Sequence, residues 1–108
     1  MEVPDTRVKL REVDLGGFDY AERGFEYLSA GDYSKAVESY KKATNAFPVA
    51  SELWYNYACA LSRNNNINEA LEALRKAIQL GSNNLDWIKK DPDLESLRKD
   101  ERFEKIVR

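Results

Sequence analysis

Cys59 is the only cysteine in the chain, and none of the 108 residues is a histidine. A thiol becomes a nucleophile when a histidine, a neighbouring cation or a helix N-terminus stabilises its thiolate. Cys59 has no histidine to activate it and falls inside a helical pattern, so packing or the lining of a groove is its expected role. Acidic side chains are plentiful, but they stand where helices start or on solvated faces, which is structural punctuation. No cysteine or histidine pair has metal-ligand spacing, and no glycine-rich phosphate loop follows a strand. Catalytic residues, metal ligands and cofactor-binding residues are therefore all expected to be none, and the chain reads as a non-enzyme. What could do chemistry is recognition. Phe18, Glu22 and Phe25 stand four and three residues apart in turn, which puts all three on one helical face. A face of that kind offers an apolar patch with a charge beside it, suited to a peptide.

Those residues need a scaffold, and the sequence writes it twice. Displaced by thirty-four positions, Tyr20 falls on Trp54, Gly24 on Ala58 and Tyr27 on Leu61; Tyr33 then falls on Ile67, Ala36 on Ala70, Tyr40 on Leu74 and Ala43 on Ala77. Large meets large and small meets small at helical intervals, which predicts a helix hairpin used twice between Gly17 and Asn84. The first helix is expected over Phe18–Ala30, with Gly31 taking the left-handed turn and Asp32 capping the next helix, Tyr33–Phe47. Pro48 stops that second helix. In the second unit Asn65 replaces the turn glycine, Asn66 and Glu69 make a capping-box pattern, and Leu80-Gly81 ends the hairpin. Gly24 costs roughly 1 kcal/mol inside a helix, which implies that a neighbouring helix passes close by.

Residues 85–108 do not continue the repeat, because Pro92 would fall in the slot of Gly24 and Ala58. Short helices are expected over Leu85–Lys90, Pro92–Arg98 and Glu101–Val107, with Asp91 and Asp100 as N-caps. Leu94, Leu97, Phe103, Ile106 and Val107 supply an apolar side that would seal the last hairpin. Residues 1–15 carry scattered charge and a brief alternation at Val8 and Leu10. They read either as a flexible arm or as an extended segment lying on the protein or on a neighbouring copy.

The doubled pattern of aromatic, small, aromatic, small and aromatic residues resembles the tetratricopeptide repeat (TPR). The string from Asp91-Pro92-Asp93-Leu94 to Arg102-Phe103 is similar to the segment that closes many bacterial proteins of that family. The resemblance covers the chain after about Gly16, with Arg23 standing where a leucine is usual and Asn65 where a glycine is. It implies an all-α fold: a right-handed superhelical stack of antiparallel helix hairpins, an α-solenoid fragment. The divisions would be an arm at 1–15, hairpins at 16–50 and 51–84, and a helical closing segment at 85–108. It also implies a concave groove lined by the first helix of each hairpin. The slots carried over are Phe18, Glu22, Phe25 and Ser29, then Glu52, Tyr55, Asn56, Cys59 and Arg63, with Asp86, Lys89 and Lys90 from a partial third helix. One branch of the family clamps a chaperone's C-terminal carboxylate. Of its donor slots Asn56 matches, whereas Ala21, Phe25 and Asp86 do not and only Lys90 adds a positive charge, so that reading is rejected.

The expected function is a non-enzymatic protein-interaction module or scaffold, binding a peptide or partner helix about Phe25, Tyr55 and Asn56, with Arg63 and Lys90 favouring an acidic feature. The alternative is self-association or assembly through the N-terminal edge around Arg23 and Phe18, which makes the chain a possible homo-oligomer. RNA binding is weaker still, because Glu22, Glu52 and Asp86 occupy the groove slots and the net charge is −2. No nucleic acid or membrane partner is expected. With no secretory signal and no apolar run of the ~20 residues a membrane span needs, the expected location is cytoplasmic.

Overall fold

The computed structural model describes the chain from Gly16 to Arg108, with side chains from Asp19 onward. The N-terminal arm and the side chain of Phe18 lie outside the described residues. Four helices, α1 (Gly16–Ala30), α2 (Tyr33–Ala46), α3 (Ser51–Arg63) and α4 (Ile67–Gln79), pack consecutively as two hairpins. The one-turn helix α5 (Leu85–Ile88) follows, then a 3-10 turn (Pro92–Leu94), α6 (Glu95–Arg98) and α7 (Glu101–Ile106). No strand occurs among the described residues, so the fold is an all-α stack of helical hairpins.

The two hairpin turns are built alike, thirty-four residues apart. Gly31 and Asn65 both take positive φ, at 84° and 64°. In each case the following amide closes the helix on the carbonyl five residues back: Asp32 N to Tyr27 O at 2.9 Å, Asn66 N to Leu61 O at 2.8 Å. Asparagine tolerates the left-handed region better than most residues, which is why it can stand in for glycine here. The entries to α2 and α4 differ. Asp32 caps as expected, its carboxylate accepting from the Lys35 amide at 3.3 Å. Asn66 holds the N-cap position of α4, but its side chain makes no capping bond, so the expected capping box with Glu69 does not form. The Asn64 side-chain amide donates to Asn66 Oδ1 at 2.8 Å and takes the acceptor that the cap would have used.

Close helix approach explains the small residues. A Cβ on Gly24 would lie 2.8 Å from the ring of Tyr40, itself 1% exposed, so α1 sits directly on that ring. Ala36, Ala58, Ala60 and Ala70 are fully buried and let the remaining helices approach in the same way. Trp54 Nε1 donates to the Pro48 carbonyl at 2.8 Å, which pins the link between the hairpins.

The tail closes the stack. Ile88, Leu94, Leu97, Phe103 and Val107 join Leu61, Leu71 and Leu74 of the second hairpin in one apolar cluster. The helix expected over Pro92–Arg98 begins as a 3-10 turn, with Asp91 Oδ1 accepting from the Asp93 amide at 2.9 Å. At the far end Asp100 caps α7, and Arg102 of that helix reaches across to Asn68 Oδ1 at 2.8 Å.

Candidate partner-binding groove

Two hollows flank α3, one towards α1 and α2 and one towards α5. The first, about 780 Å³, is lined by Ala21, Glu22, Phe25 and Glu26 of α1, Tyr40 of α2 and Asn56 of α3. The second, about 590 Å³, lies between α3 and α5, with Glu52, Tyr55, Asn56, Asn83, Trp87 and Ile88 among its lining. Asn56 lines both, and the two hollows together make the candidate groove. Phe25 and Trp87 line it on either side of Asn56 and are 64% and 47% exposed. Among the described residues Val49 is the other large hydrophobic side chain that is exposed.

Five expected residues thus meet in the groove: Glu22, Phe25, Glu52, Tyr55 and Asn56. The others are placed differently. Ser29 is exposed at the C-terminal end of α1 and lines neither hollow. Lys90 is exposed beyond α5 and lines neither as well, as do Asp86 and Lys89. Arg63 is occupied elsewhere. Its Nη2 donates to the Tyr33 hydroxyl at 2.9 Å, its Nε lies 3.5 Å from Asp93, and its guanidinium stands 5.1 Å from the Tyr33 ring centre. The positive character expected from Arg63 and Lys90 is therefore not delivered to the groove.

Cys59 is buried at 3% exposure, so it faces the interior. Its neighbourhood is a polar seam between α3 and the closing segment. The Tyr55 hydroxyl donates a hydrogen bond to Asp91 Oδ2, and Cys59 Sγ lies 4.0 Å from the same oxygen. Arg98 Nη1 donates to the Asp91 carbonyl at 3.0 Å. Burial first, then the Asp91 charge, pushes the Cys59 thiol far up, so it is protonated and unreactive near neutral pH. Tyr55 is raised by burial and by its bond to Asp91, and Tyr40 is pushed up to about 12, mainly by burial. Asp93 is raised by burial and by the adjacent Asp91 charge, with Arg63 opposing. Donor atoms of Cys59, Asp91 and Asp93 lie within 4.8 Å of one another, a spacing that a metal could use. However, both Asp91 oxygens already accept protein hydrogen bonds and the thiol holds its proton. These bonds account for the cluster as the seam that docks the closing segment.

Glu26 and Trp87 are lining residues that the repeat pattern misses, since the thirty-four-residue shift aligns neither with a groove slot, and only for Trp87 is there a local cue. Leu85 and Ile88 share the inward side of the single turn α5, which leaves the indole between them in sequence turned away from the core.

The stacked hairpins and the sealed last face define a helical-repeat fold. Residues 22–84 match the tetratricopeptide repeat, and the chain belongs to that family. A chloroplastic protein of Arabidopsis thaliana is 33% identical over 101 residues, covering 91% of this chain and 28% of the relative. The Sol locus transcriptional repressor of Clostridium acetobutylicum is 36% identical over 70 residues, or 65% of this chain and 22% of that protein. A TPR repeat-containing protein of Methanocaldococcus jannaschii is 34% identical over 67 residues, covering 62% and 12%. The chain thus spans less than a third of each of these relatives. No solved structure matches it significantly. The family is typically an interaction module without catalytic activity. No helix among the described residues is long and apolar enough to cross a membrane.

Proposed function

We propose that the chain is a non-enzymatic scaffold module that binds an extended or helical segment of a protein partner in the groove along α1, α3 and α5. The observation that carries this is the pair of exposed aromatic side chains, Phe25 and Trp87, on either side of the shared Asn56. Aromatic anchors beside polar hydrogen-bonding groups are the usual composition of peptide-binding hot spots. Asn56 offers a donor and an acceptor to a partner backbone, while Phe25 and Trp87 offer apolar surface to alternate side chains. Membership of a repeat family whose domains bind proteins supports the same reading. The cytoplasm is the proposed location.

The test is a pair of substitutions, Phe25→Ala and Trp87→Ala, measured by calorimetric titration against a partner isolated with the intact chain. Both side chains are exposed, so their loss leaves the core unchanged. Each is expected to weaken binding by about tenfold or more, as aromatic hot spots do. Unchanged affinity in both variants, with helicity intact, would remove the groove from the account.

A further inference from the structure

Resting on that reading, we infer that the partner segment is cationic, with lysine or arginine alternating with apolar residues along the groove. The charge of its walls carries this inference. Glu22 and Glu26 flank Phe25 in the first hollow, and Glu52 lines the second with Trp87. No lysine or arginine among the described residues lines either hollow. All three carboxylates are exposed, and none is paired with a cation among the described residues. Of the five cations on α1 to α3, Lys41 is exposed and lines neither hollow, and the other four have partners outside them. Arg63 is held by Tyr33 and Asp93. Lys35 is held by Asp32 and the Tyr27 ring. Arg23 and Lys42 stand over Tyr20 at 5.7 and 5.3 Å. The described walls of the two hollows thus carry three carboxylates and no cation, on a chain of net charge −2.

Such a wall selects by charge. An acidic segment would be opposed by three carboxylates, whereas lysine or arginine would meet them and could also lie over the faces of Phe25 and Trp87. Alternation follows from the geometry, because an extended segment points successive side chains to opposite sides. Apolar residues would cover the aromatic anchors and cations would face the glutamates.

Fluorescence anisotropy on the full chain tests this with two labelled decapeptides, one alternating lysine with leucine and one alternating glutamate with leucine. At low ionic strength the lysine peptide is expected to bind more tightly by about tenfold or more, the preference fading as salt screens it. Glu22→Gln/Glu26→Gln/Glu52→Gln should cost it about tenfold, and Glu101→Gln/Glu104→Gln on the closing segment should cost nothing. Equal losses in both sets, or no binding of the lysine peptide, overturn the inference. Tighter binding of the glutamate peptide, lost in Phe25→Ala/Trp87→Ala, overturns the cationic preference and leaves the groove standing. Binding of either peptide that ignores Phe25 and Trp87 removes the groove itself. Sedimentation that reveals a dimer dissolved by the three glutamate changes would assign the surface to a second copy and overturn an external partner.

Discussion

Ser62 is buried at 1% exposure, and its hydroxyl has no hydrogen-bond partner among the described residues. Burying an unpaired hydroxyl costs about 1–3 kcal/mol, and alanine is also the better helix former. Ser62→Ala is therefore expected to stabilise the protein by about 1 kcal/mol, read as a higher urea midpoint with unchanged slope. Gly24 gives the opposite sign. Alanine there would gain roughly 1 kcal/mol of helix propensity but press on a buried ring that cannot swing aside, and overpacking costs about 1–3 kcal/mol. Gly24→Ala should lower the midpoint, and a rise would mean that α1 does not sit on Tyr40. This glycine was legible in the sequence because its cost demanded a packing reason. The environment of Cys59 was not, since the residue that covers it, Asp91, lies 32 positions away across a turn. The thiol should react with a disulfide reagent only as fast as the protein unfolds.

At the scale of elements, the closing segment decides whether the second hairpin is sealed. Leu94 and Leu97 are fully buried, and replacing either with alanine should cost about 2–5 kcal/mol in urea unfolding. A cost near zero would mean the segment is not docked. The polar seam adds a pH dependence. Cys59, Tyr55 and Tyr40 all have folded pKa values above their ordinary ones, 9.0 for the thiol and 10.0 for the phenols. Above pH 9 the unfolded chain releases protons that the folded chain keeps. The stabilisation is thus complete below pH 9 and declines as pH rises from there, with Tyr40 itself titrating at about 12. Urea unfolding across the alkaline range should follow this decline, and Tyr55→Phe/Cys59→Ala should flatten it. The tail's helix starts were readable from Asp91-Pro92 and Asp100, because caps are local chemistry. The seam was not, because Tyr55 reaches Asp91 only after Pro92 turns the chain back onto α3, and the repeat pattern assigns Tyr55 to the groove alone. The pairing of Arg63 was hidden for the same reason, its partners Tyr33 and Asp93 being non-local.

Across the whole molecule, two hairpins and their closing segment bring Glu22, Glu26, Phe25, Glu52 and Trp87 to two neighbouring hollows on a chain of net charge −2. The period of thirty-four residues made the stack readable. The sign of the groove was not, because it depends on which cations are already paired. The account therefore stands on where a partner segment lies. Nuclear magnetic resonance of the nitrogen-labelled chain, titrated with the lysine–leucine decapeptide, locates it directly. The prediction is that shifts concentrate on the amides around Phe25 and Asn56 and on the Trp87 indole, while the Trp54 indole, tied to Pro48, stays still. Shifts spread over α2, α4 and α7 with Phe25, Asn56 and Trp87 unmoved would contradict it.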